Sequence, residues 1–573
     1  MFGSRTRGLP EVYVPSFELK VGDSPLPEPI ARRITRISVT ESQDPPNQFG
    51  LQLFDPELKL VGASTGPFAE GAKIEIGLGY VGDVRPMFQG RITAVSAQFP
   101  ESGPPVVDVQ GTDELHKLTR GTAHRSFEDT QADSDIASTI ATDVGLQPDV
   151  DPTPRRQRPR VQMHQSNYTF LQELAALNGY AVWVEDGRLF FRKTRPTRSK
   201  LSLEWGRTLQ SFTPRISTAG LVRKVVVKGY DPIQKGFAGT ADSPTTLPAG
   251  LSPSGLLDVE SGSGGRSELV IEGAPVSSEV EAKTYAQAIL DQIWQGAVTG
   301  SGTSPGQPEM RVGTVLALSK IGRFSADYVV TSVTHSVGEG GYQTSFEVNG
   351  GTSFTGREPA AIGAGGLARS GVAGRGAGGA VIVGIVQENK DPDGLGRVQL
   401  RLPGVTDEPI VHWARVAAPM AGAARGIFFL PEKEDEVLVA FEHGDPARPY
   451  VLGGLWSGRD KPPTPNTDGA NDLRLIKTRS GHILRFDDKG GAEKIELIDA
   501  SGNSSLVIDT GAKTVTITSA KDVVIKAENG TITLQAQQVE VASTGKTKVS
   551  ADGGLNLESS GSTVLKGSTV NIN

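Results

Sequence analysis

The last eighty residues of the chain carry a short repeat that restricts its fold more than any other feature. Apolar or β-branched residues two positions apart recur every seven to nine residues between Leu506 and Ile572, with Gly, Asn, Asp and Ser between them. Alternation with a period of two is typical of strands with one buried face. A period near eight leaves room for only one short strand and one corner, which indicates a coiled β-helix.

A single chain coiled in this way would leave its strand edges without partners, which is unfavourable. Three intertwined chains remove that cost, because each strand then pairs with the other two chains and the inward side chains meet on a common axis. The sequence therefore predicts a rigid, intertwined trimeric β-helix, the needle, over residues 493–573. A single-chain β-solenoid and a disordered Ser/Thr-rich tail are the alternatives. The predicted trimer core of the needle consists of Leu506, Ile508, Val515, Ile517, Val523, Ile525, Ile532, Leu534, Val539, Val541, Leu555 and Leu557.

Composition bounds what the rest of the chain can be. The 573 residues include 70 Gly, 37 Pro and no Cys, so we expect three or four mainly β domains without disulfides or thiolate metal sites. The formal net charge of −7 gives no sign of a nucleic-acid-binding surface. The N-terminus lacks a continuous apolar segment, and no run approaches the ~20 apolar residues of a membrane span. We therefore expect assembly in the cytoplasm, without a signal peptide.

Strand patterns separated by Gly, Pro and Asp turns predict one β-barrel in residues 1–120 and a second in residues 201–350. Between them, residues 121–200 predict a small α+β insertion. It contains two amphipathic helices and a hairpin that turns at Asp186-Gly187. An arginine-rich segment between these helices, from Arg155 to Arg160, is interpreted as a solvated loop.

The second half of the chain divides by composition. Residues 241–268 are interpreted as a mobile insertion, and residues 351–380 as a Gly/Ala linker. Residues 381–458 contain about five strands, which fits a small OB-fold barrel. Residues 459–492 then form a connector to the needle. The fold class is therefore mainly β.

The segment from Gly396 to Trp456 resembles the OB domain of VgrG-type spikes and phage tail spike proteins, and the helix and hairpin at 170–192 resemble a piece of phage tail hub proteins. A hub, an OB-fold collar and a needle in this order is the VgrG layout. The positions that carry the OB resemblance are Gly396, Arg397, Trp413, Arg415, Pro431, Asp435, Glu436, Gly444, Asp445, Pro446 and Gly453.

This resemblance implies a structural protein of a contractile injection system. A homotrimeric hub with two β-barrels per chain would join the hexameric inner tube and the baseplate proteins to a needle that pierces a target envelope. The target membrane would be met only on firing, and a cargo toxin is a further candidate partner. A phage tail, a type VI secretion system and a released extracellular particle remain open as the machine.

The needle ends in a flat face that needs a cap. Its last residues, Val570, Asn571, Ile572 and Asn573, are predicted to contact a separate PAAR-like tip protein. One position departs from the resemblance: Glu434 stands where the family usually has Gly, which leaves the geometry of that turn open.

Residues that could carry chemistry are scattered. The seven His show no metal-ligand spacing, and Glu432, Asp435 and Glu436 are interpreted as fixing a turn of the barrel. No catalytic, cofactor or metal site is predicted. Two other functions remain: a trimeric β-helical polysaccharide depolymerase, and an OB module that binds single-stranded nucleic acid or glycan. The second requires exposed aromatic residues, whereas Trp413, Phe428 and Phe429 are predicted to alternate into the core.

Overall fold

The computed structural model describes residues 14–43, 46–60, 67–128, 130–155, 159–193, 198–217, 220–230, 236–245, 268–349, 381–403 and 410–572. The predicted linker, most of the predicted insertion at 241–268, Arg156, Arg158 and Asn573 lie outside these ranges. The described residues are mainly β, as predicted. The chain divides into two compact units, Met1–Arg459 and Asp460–Asn573.

The first unit begins with a β-rich segment in which alternation decides what is buried. Its elements are β1 Pro15–Val21, β2 Ser24–Pro25, α1 Glu28–Ala31, β3 Ile34–Ser42, β4 Gln48–Phe54, β5 Lys73–Tyr80, β6 Asp83–Gln98 and β7 Val106–Thr112. In β3 and β4 every second side chain points inward, so Ile37, Val39, Leu51 and Leu53 are almost fully buried. They belong to one apolar core.

A second β-rich segment surrounds a long helix. Its elements are β13 Lys200–Glu204, β14 Ser211–Ile216, β15 Lys224–Gly229, β16 Phe237–Ala241, β17 Glu268–Ile271, α5 Glu279–Gln295, β18 Val298–Pro305, β19 Val315–Ser319, β20 Asp327–Gly338 and β21 Gly341–Val348. The apolar stripe of α5 packs into a separate core, with Tyr285, Leu290 and Trp294 fully buried. Trp294 Nε1 donates a hydrogen bond to Val222 O at 3.0 Å, which satisfies the indole within that core.

The two β-rich segments have separate cores but share one sheet. Thirteen strands of the described residues are hydrogen-bonded into it, and β20 pairs antiparallel with β3 over seven residue pairs. Val337 and Tyr342, from the second segment, pack in the core of the first. The two predicted units are therefore continuous rather than separate, because a strand pairing across 290 residues is invisible to local alternation.

The α+β insertion has the predicted helices and hairpin. Its elements are α2 His116–Thr119, β8 Ala123–Phe127, α3 Asp133–Asp143, β9 Gln147–Val150, β10 Arg160–Gln165, α4 Asn167–Asn178, β11 Ala181–Glu185 and β12 Arg188–Arg192. Gly179 ends α4 in the left-handed conformation with φ +67°, as a helix-terminating Gly does. A Cβ on Gly179 would lie 3.2 Å from Ala288 Cβ of α5, so the same Gly permits the two helices to approach.

The arginine-rich segment differs from its predicted solvated state at Arg160. This residue lies in β10, its side chain is 13% exposed, and its Nε lies 3.8 Å from Asp133 Oδ1. Its Nη1 donates to Pro275 O at 2.9 Å. An arginine count cannot separate a solvated cation from one that folds back onto a carboxylate, and here the tertiary contact decides.

The described residues between 381 and 456 form a closed five-stranded barrel, the collar barrel. Its elements are β22 Ile382–Glu388, β23 Val398–Arg401, β24 Ile410–Val416, β25 Ala421–Gly422, β26 Arg425–Gly426, β27 Glu436–Phe441 and β28 Pro449–Leu455. The strand order is β22-β23-β24-β28-β27, and β24 pairs parallel with β28 whereas the other neighbours are antiparallel. This order confirms the predicted OB-like barrel. Residues 427–431, which include Phe428 and Phe429, contain no strand.

The second unit begins with an antiparallel meander of five strands. They are β29 Leu473–Lys477, β30 Ile483–Asp487, β31 Lys494–Ile498, β32 Ser505–Asp509 and β33 Thr514–Thr518. The meander crosses the boundary that was predicted between connector and needle at 492/493. The expectation that single-chain strands would lack neighbours is therefore wrong for β31 to β33.

Turn chemistry explains these hairpins. Between β31 and β32, Asp499 Oδ1 accepts the backbone N–H of Ser504 at 2.8 Å, and Gly502 has φ +74°. Between β32 and β33, Asp509 Oδ1 accepts the backbone N–H of Ala512 at 2.7 Å. Asp side chains that bond the backbone in this way favour reversal of the chain. Beyond β33 the described residues up to 572 contain no strand.

Candidate functional site

No cluster in the described residues has the composition of a metal centre, since no three His, Asp or Glu side chains converge there. Among the same residues, no helix combines the length and apolarity that a membrane crossing requires. The sequence-predicted positions therefore have to be judged as surfaces and turns, beginning with the collar barrel.

The first turn of the collar barrel is built on Asp391 and Arg397. The guanidinium donates through Nε and Nη2 to the Asp391 carboxylate at 2.9 and 2.6 Å, and the side chain of Asp391 is only 3% exposed. This bidentate hydrogen bond outweighs burial and holds the pKa of Asp391 well below its usual value. Gly396, with φ +71°, closes the turn. Gly396 and Arg397 thus have structural tasks within one chain.

The turn before β27 is fixed by Asp435, as the sequence predicts. Its carboxylate accepts the backbone N–H of Glu432 at 2.8 Å, and Pro431 O, in the same turn, accepts Asn389 Nδ2 at 3.0 Å. Glu434 has φ +71°, a left-handed conformation that favours Gly. The turn therefore keeps the backbone geometry that a Gly would adopt, although a Glu occupies it.

The other motif positions of the barrel divide between its strands and one loop. Trp413 and Arg415 follow each other on β24, where Trp413 is half-buried and Arg415 is exposed with its guanidinium 5.5 Å from the Tyr450 ring centroid. Glu436 begins β27, and Gly453 lies opposite Leu438 on β28. Gly444, Asp445 and Pro446 form the loop that enters β28.

The sequence-based reasoning missed the most buried cation of this loop, Arg448. The whole residue is 8% exposed, and its guanidinium lies 3.5 Å from Asp445 and 3.6 Å from Glu442. A buried arginine is unusual without such carboxylates. Two acidic residues, Glu442 and Asp445, precede Arg448 around the turn at Gly444. This pattern is the sequence signal that could have indicated the buried arginine.

Aromatic side chains of the barrel are more exposed than predicted. Phe428 and Phe429 are 77% and 64% exposed, and Trp456 is 72% exposed. The expectation that Phe428 and Phe429 alternate into the core is wrong, because their segment is a loop rather than a strand and period-two alternation does not apply to it. Burial of an apolar side chain is favourable by roughly 1.5–3 kcal/mol, so the exposure of these three side chains, called the collar aromatics, is unfavourable in one chain.

Apolar side chains of the predicted needle are exposed throughout one chain. Leu506 and Ile508, in β32, are both 38% exposed, whereas Leu534 and Val541 are 75% and 77% exposed. The remaining predicted core residues are exposed to similar degrees: Val515, Ile517, Val523, Ile525, Ile532, Val539, Leu555 and Leu557. A repeat of this kind has no core of its own within the described residues.

The predicted tip is exposed as well. Val570 is 50% and Ile572 is 83% exposed, Asn571 is exposed between them, and Asn573 lies outside the described residues. Two apolar side chains separated by one Asn continue the alternation of the repeat to the end of the described chain.

The largest part of the chain is identified by its match to known families. A family model described as the Alg8 N-terminal domain matches residues 33–339, which is more than half of the 573 residues. The chain belongs to the Alg8 N-terminal domain family. A second model, the type VI secretion system/phage-baseplate injector OB domain, matches residues 382–456 of this Alg8-family chain. That range coincides with the collar barrel.

Individual relatives extend the match. The type VI secretion system spike protein VgrG3 of Vibrio cholerae is 31% identical to this Alg8-family chain over 126 residues, which are 21% of this chain and 12% of that protein. The spike protein VgrG1a of Pseudomonas aeruginosa is 28% identical over 144 residues, 23% of this chain and 22% of that protein. The chain therefore matches only a small part of either relative's length.

Fold similarity covers most of the chain. The structure of a PdpA–VgrG complex from Francisella matches with a TM-score of 0.52 at 8% identity, covering 88% of this chain and 80% of that chain. At this identity the match shows a common fold. The predicted relationship to VgrG-type spikes and phage tail spike proteins is thus confirmed.

Proposed function

We propose that this chain is the central spike of a contractile injection system. In this proposal a homotrimeric hub joins the hexameric inner tube to a puncturing needle, and the needle carries a tip protein. The observation that carries the proposal is the exposed, alternating apolar repeat of the second unit. It follows a barrel of the injector OB family in the same chain.

Trimerisation is supported by the apolar surface that one chain leaves exposed. Leu534, Val541 and Leu557 are each more than 70% exposed in one chain, and each gains roughly 1.5–3 kcal/mol when fully buried. A twofold contact covers one face of a strand, whereas three intertwined copies can cover a whole inward face and pair both strand edges. The repeat therefore favours a trimer.

The connection to an inner tube follows from the two cores of the hub. Each chain contains two β-rich segments with separate apolar cores inside one continuous sheet. Three chains would present six such segments in a ring, a number that fits a hexameric tube protein. Baseplate proteins would then meet the outer face of this ring, and a cargo toxin remains a candidate passenger.

The proposed tip partner is supported by the exposed apolar side chains of Val570 and Ile572. In three copies, these side chains would form one exposed apolar surface. A PAAR-like protein with a complementary flat face would cover it, and we place its contact at Val570, Asn571, Ile572 and Asn573. The function is mechanical, so no catalytic residue or cofactor is assigned.

A second candidate function rests on the collar aromatics. Phe428, Phe429 and Trp456 are exposed on an OB-type barrel, and aromatic residues that stack on bases or sugars are typical of OB modules that bind single-stranded nucleic acid or glycans. Fluorescence anisotropy with labelled single-stranded DNA and oligosaccharides would detect this activity. Binding that the F428A/F429A double variant loses would favour the second candidate over a purely structural collar.

Light scattering on the purified chain tests the spike proposal directly. The full chain should have three times the monomer mass of 60.4 kDa, and a truncation that ends at Gly458 should return to the mass of its own monomer. A monomeric full chain whose second unit is folded would overturn the proposal.

A further inference from the structure

A buried five-residue segment between β17 and α5 is contacted from three directions. It runs from Gly273 to Ser277, and Ala274, Val276 and Ser277 are 4%, 1% and 5% exposed. The carboxylate of Glu281, in the first turn of α5, accepts the backbone N–H of Ser277 at 2.9 Å and its hydroxyl at 2.8 Å. The segment, called the junction below, is therefore held at its end by the helix that follows it.

The collar barrel contacts the junction through Arg448. Its guanidinium donates through Nη2 to Val276 O, while Glu442 and Asp445 hold the same guanidinium at 3.6 and 3.5 Å. The backbone of Arg448 is fixed too, since Glu442 N donates to Arg448 O at 3.0 Å. A buried planar cation with two carboxylates and one carbonyl acceptor is directional, because each partner limits the orientation of the guanidinium.

The α+β insertion contacts the neighbouring carbonyl of the junction. Arg160 Nη1 donates to Pro275 O at 2.9 Å, with Asp133 of α3 at 3.8 Å from its Nε. Two arginines from different parts of the chain thus donate to consecutive carbonyls, those of Pro275 and Val276. Backbone carbonyls of a loop this deeply buried need such donors.

The start of the junction carries a steric contact with the same barrel loop. Gly273 has φ +73°, and a Cβ on it would lie 2.7 Å from Cγ and Nδ1 of His443. His443 itself adopts φ +51° beside Gly444. A side chain at position 273 would therefore be strained in its own backbone and would also displace the loop of the barrel.

We propose that the junction is the joint that sets the orientation of the collar barrel on the hub, with Arg448 and Gly273 as its two determinants. The joint lies within one chain and its contacts differ in kind from the apolar repeat of the second unit. It passes force between barrel and hub through three elements at once: the 442–448 loop, β10 and α5. This inference goes beyond the proposed function and does not depend on whether the chain is a trimer.

Hydrogen–deuterium exchange on the full chain tests the joint from both sides. The variant R448K removes the planar fork but keeps the charge, and G273A introduces the clash from the hub. Each should accelerate exchange at least about tenfold in both 273–278 and 442–448, since opening of a local unit exposes both partners together. The matched control is R425K, at an exposed arginine of β26 in the same barrel, which should leave both segments as protected as in the unmodified chain.

Each outcome decides the question. If R448K accelerates exchange only in 442–448 while 273–278 stays protected, the joint does not exist. If R448K also exposes β22 and β27, the barrel itself has opened and G273A decides, because its site lies in the hub. Faster exchange of 442–448 in G273A then supports the joint, and unchanged exchange overturns it.

Discussion

The hub, residues 14–349, and the second unit use the same aliphatic residues in opposite ways. In the hub, strand alternation places Ile37, Leu53 and Ile74 at 0% exposure, each covered by other parts of the same chain. In the second unit, alternation is equally regular, yet Val515 and Ile517 of β33 remain 67% and 62% exposed. A period-two pattern therefore shows that a strand has an apolar face, but it does not show what covers that face.

The difference has a physical cause in the layers available to each region. The hub brings α5 and the strands of one large sheet together, so its inner faces meet within the chain. The meander β29 to β33 is a single layer, and a single layer has no second surface on which to bury a face. The hub should therefore fold as one chain, whereas the second unit should need copies of itself.

The largest expected effect is the loss of trimers when a charge enters the predicted needle core. The double variant I532D/L534D should reduce the mass by light scattering threefold, since six buried carboxylates, three at each position, would meet near one axis without counter-charges. The matched control is T533D, an outward position between them, which should keep the trimer. A trimeric I532D/L534D protein would contradict an apolar core at these positions.

A core substitution in the hub should act without any change in assembly. L290A removes a fully buried side chain of α5 and should lower the free energy of unfolding by about 2–5 kcal/mol. Urea denaturation of the Gly458 truncation measures this effect. V280A, on the exposed face of the same helix, should change the free energy by no more than about 0.5 kcal/mol; similar losses in both variants would contradict the assigned core.

Buried His335 should make the hub sensitive to acid. His335 is 1% exposed, with Nε2 2.9 Å from Met310 O and Nδ1 2.9 Å from Tyr342 Oη. Burial lowers its pKa to about 4, so between pH 6.5 and 4 the unfolded chain binds the proton that the folded chain excludes. Neutral His335 therefore makes its full contribution to the free energy of unfolding above pH 6.5. As the pH falls to 4, the free energy of unfolding decreases by on the order of 3 kcal/mol.

The measurement is urea denaturation of the Gly458 truncation at pH 7 and pH 4, compared with the variant H335Q. Between pH 7 and pH 4, the free energy of unfolding should fall less in H335Q than in the unmodified chain, by on the order of 3 kcal/mol. At pH 7 the variant should nevertheless be the less stable of the two proteins. Equal losses in the two proteins would show that His335 does not carry the acid sensitivity.

The smallest expected effect lies in the collar barrel at Glu434. The left-handed conformation of Glu434, φ +71°, costs a residue with a Cβ about 1–2 kcal/mol. Replacement by Gly removes this cost, but the greater freedom of Gly in the unfolded chain offsets part of the gain in stability. E434G should therefore raise the free energy of unfolding by about 0.5–1 kcal/mol. E434A is the control that removes the carboxylate but keeps the Cβ, and an equal gain from it would assign the effect to charge.

Local pattern was sufficient for much of the fold. The hairpin at Asp186-Gly187 and the two amphipathic helices before it are present as predicted. Each depends on residues within about fifteen positions of one another, where turn chemistry and periodicity act directly.

Long-range contacts were outside the reach of the pattern. The pairing of β3 with β20, the burial of Arg160 and Arg448, and the exposure of Phe428 and Phe429 all depend on parts of the chain that lie far apart in sequence. The candidate surfaces follow the same division. The repeat itself was readable, whereas Phe428 and Phe429 were predicted to lie in the core and instead lie exposed in the loop at 427–431.

The amino-acid sequence by itself determined the mainly β class, the order of hub, barrel and repeat, and the positions of the turns, because these follow from the spacing of apolar residues and from Gly, Asp and Pro. The tertiary structure alone decided that the two hub segments share one sheet and that two arginines meet on consecutive carbonyls. Charge and alternation describe what a residue can do, but only the approach of distant segments fixes which partner it meets.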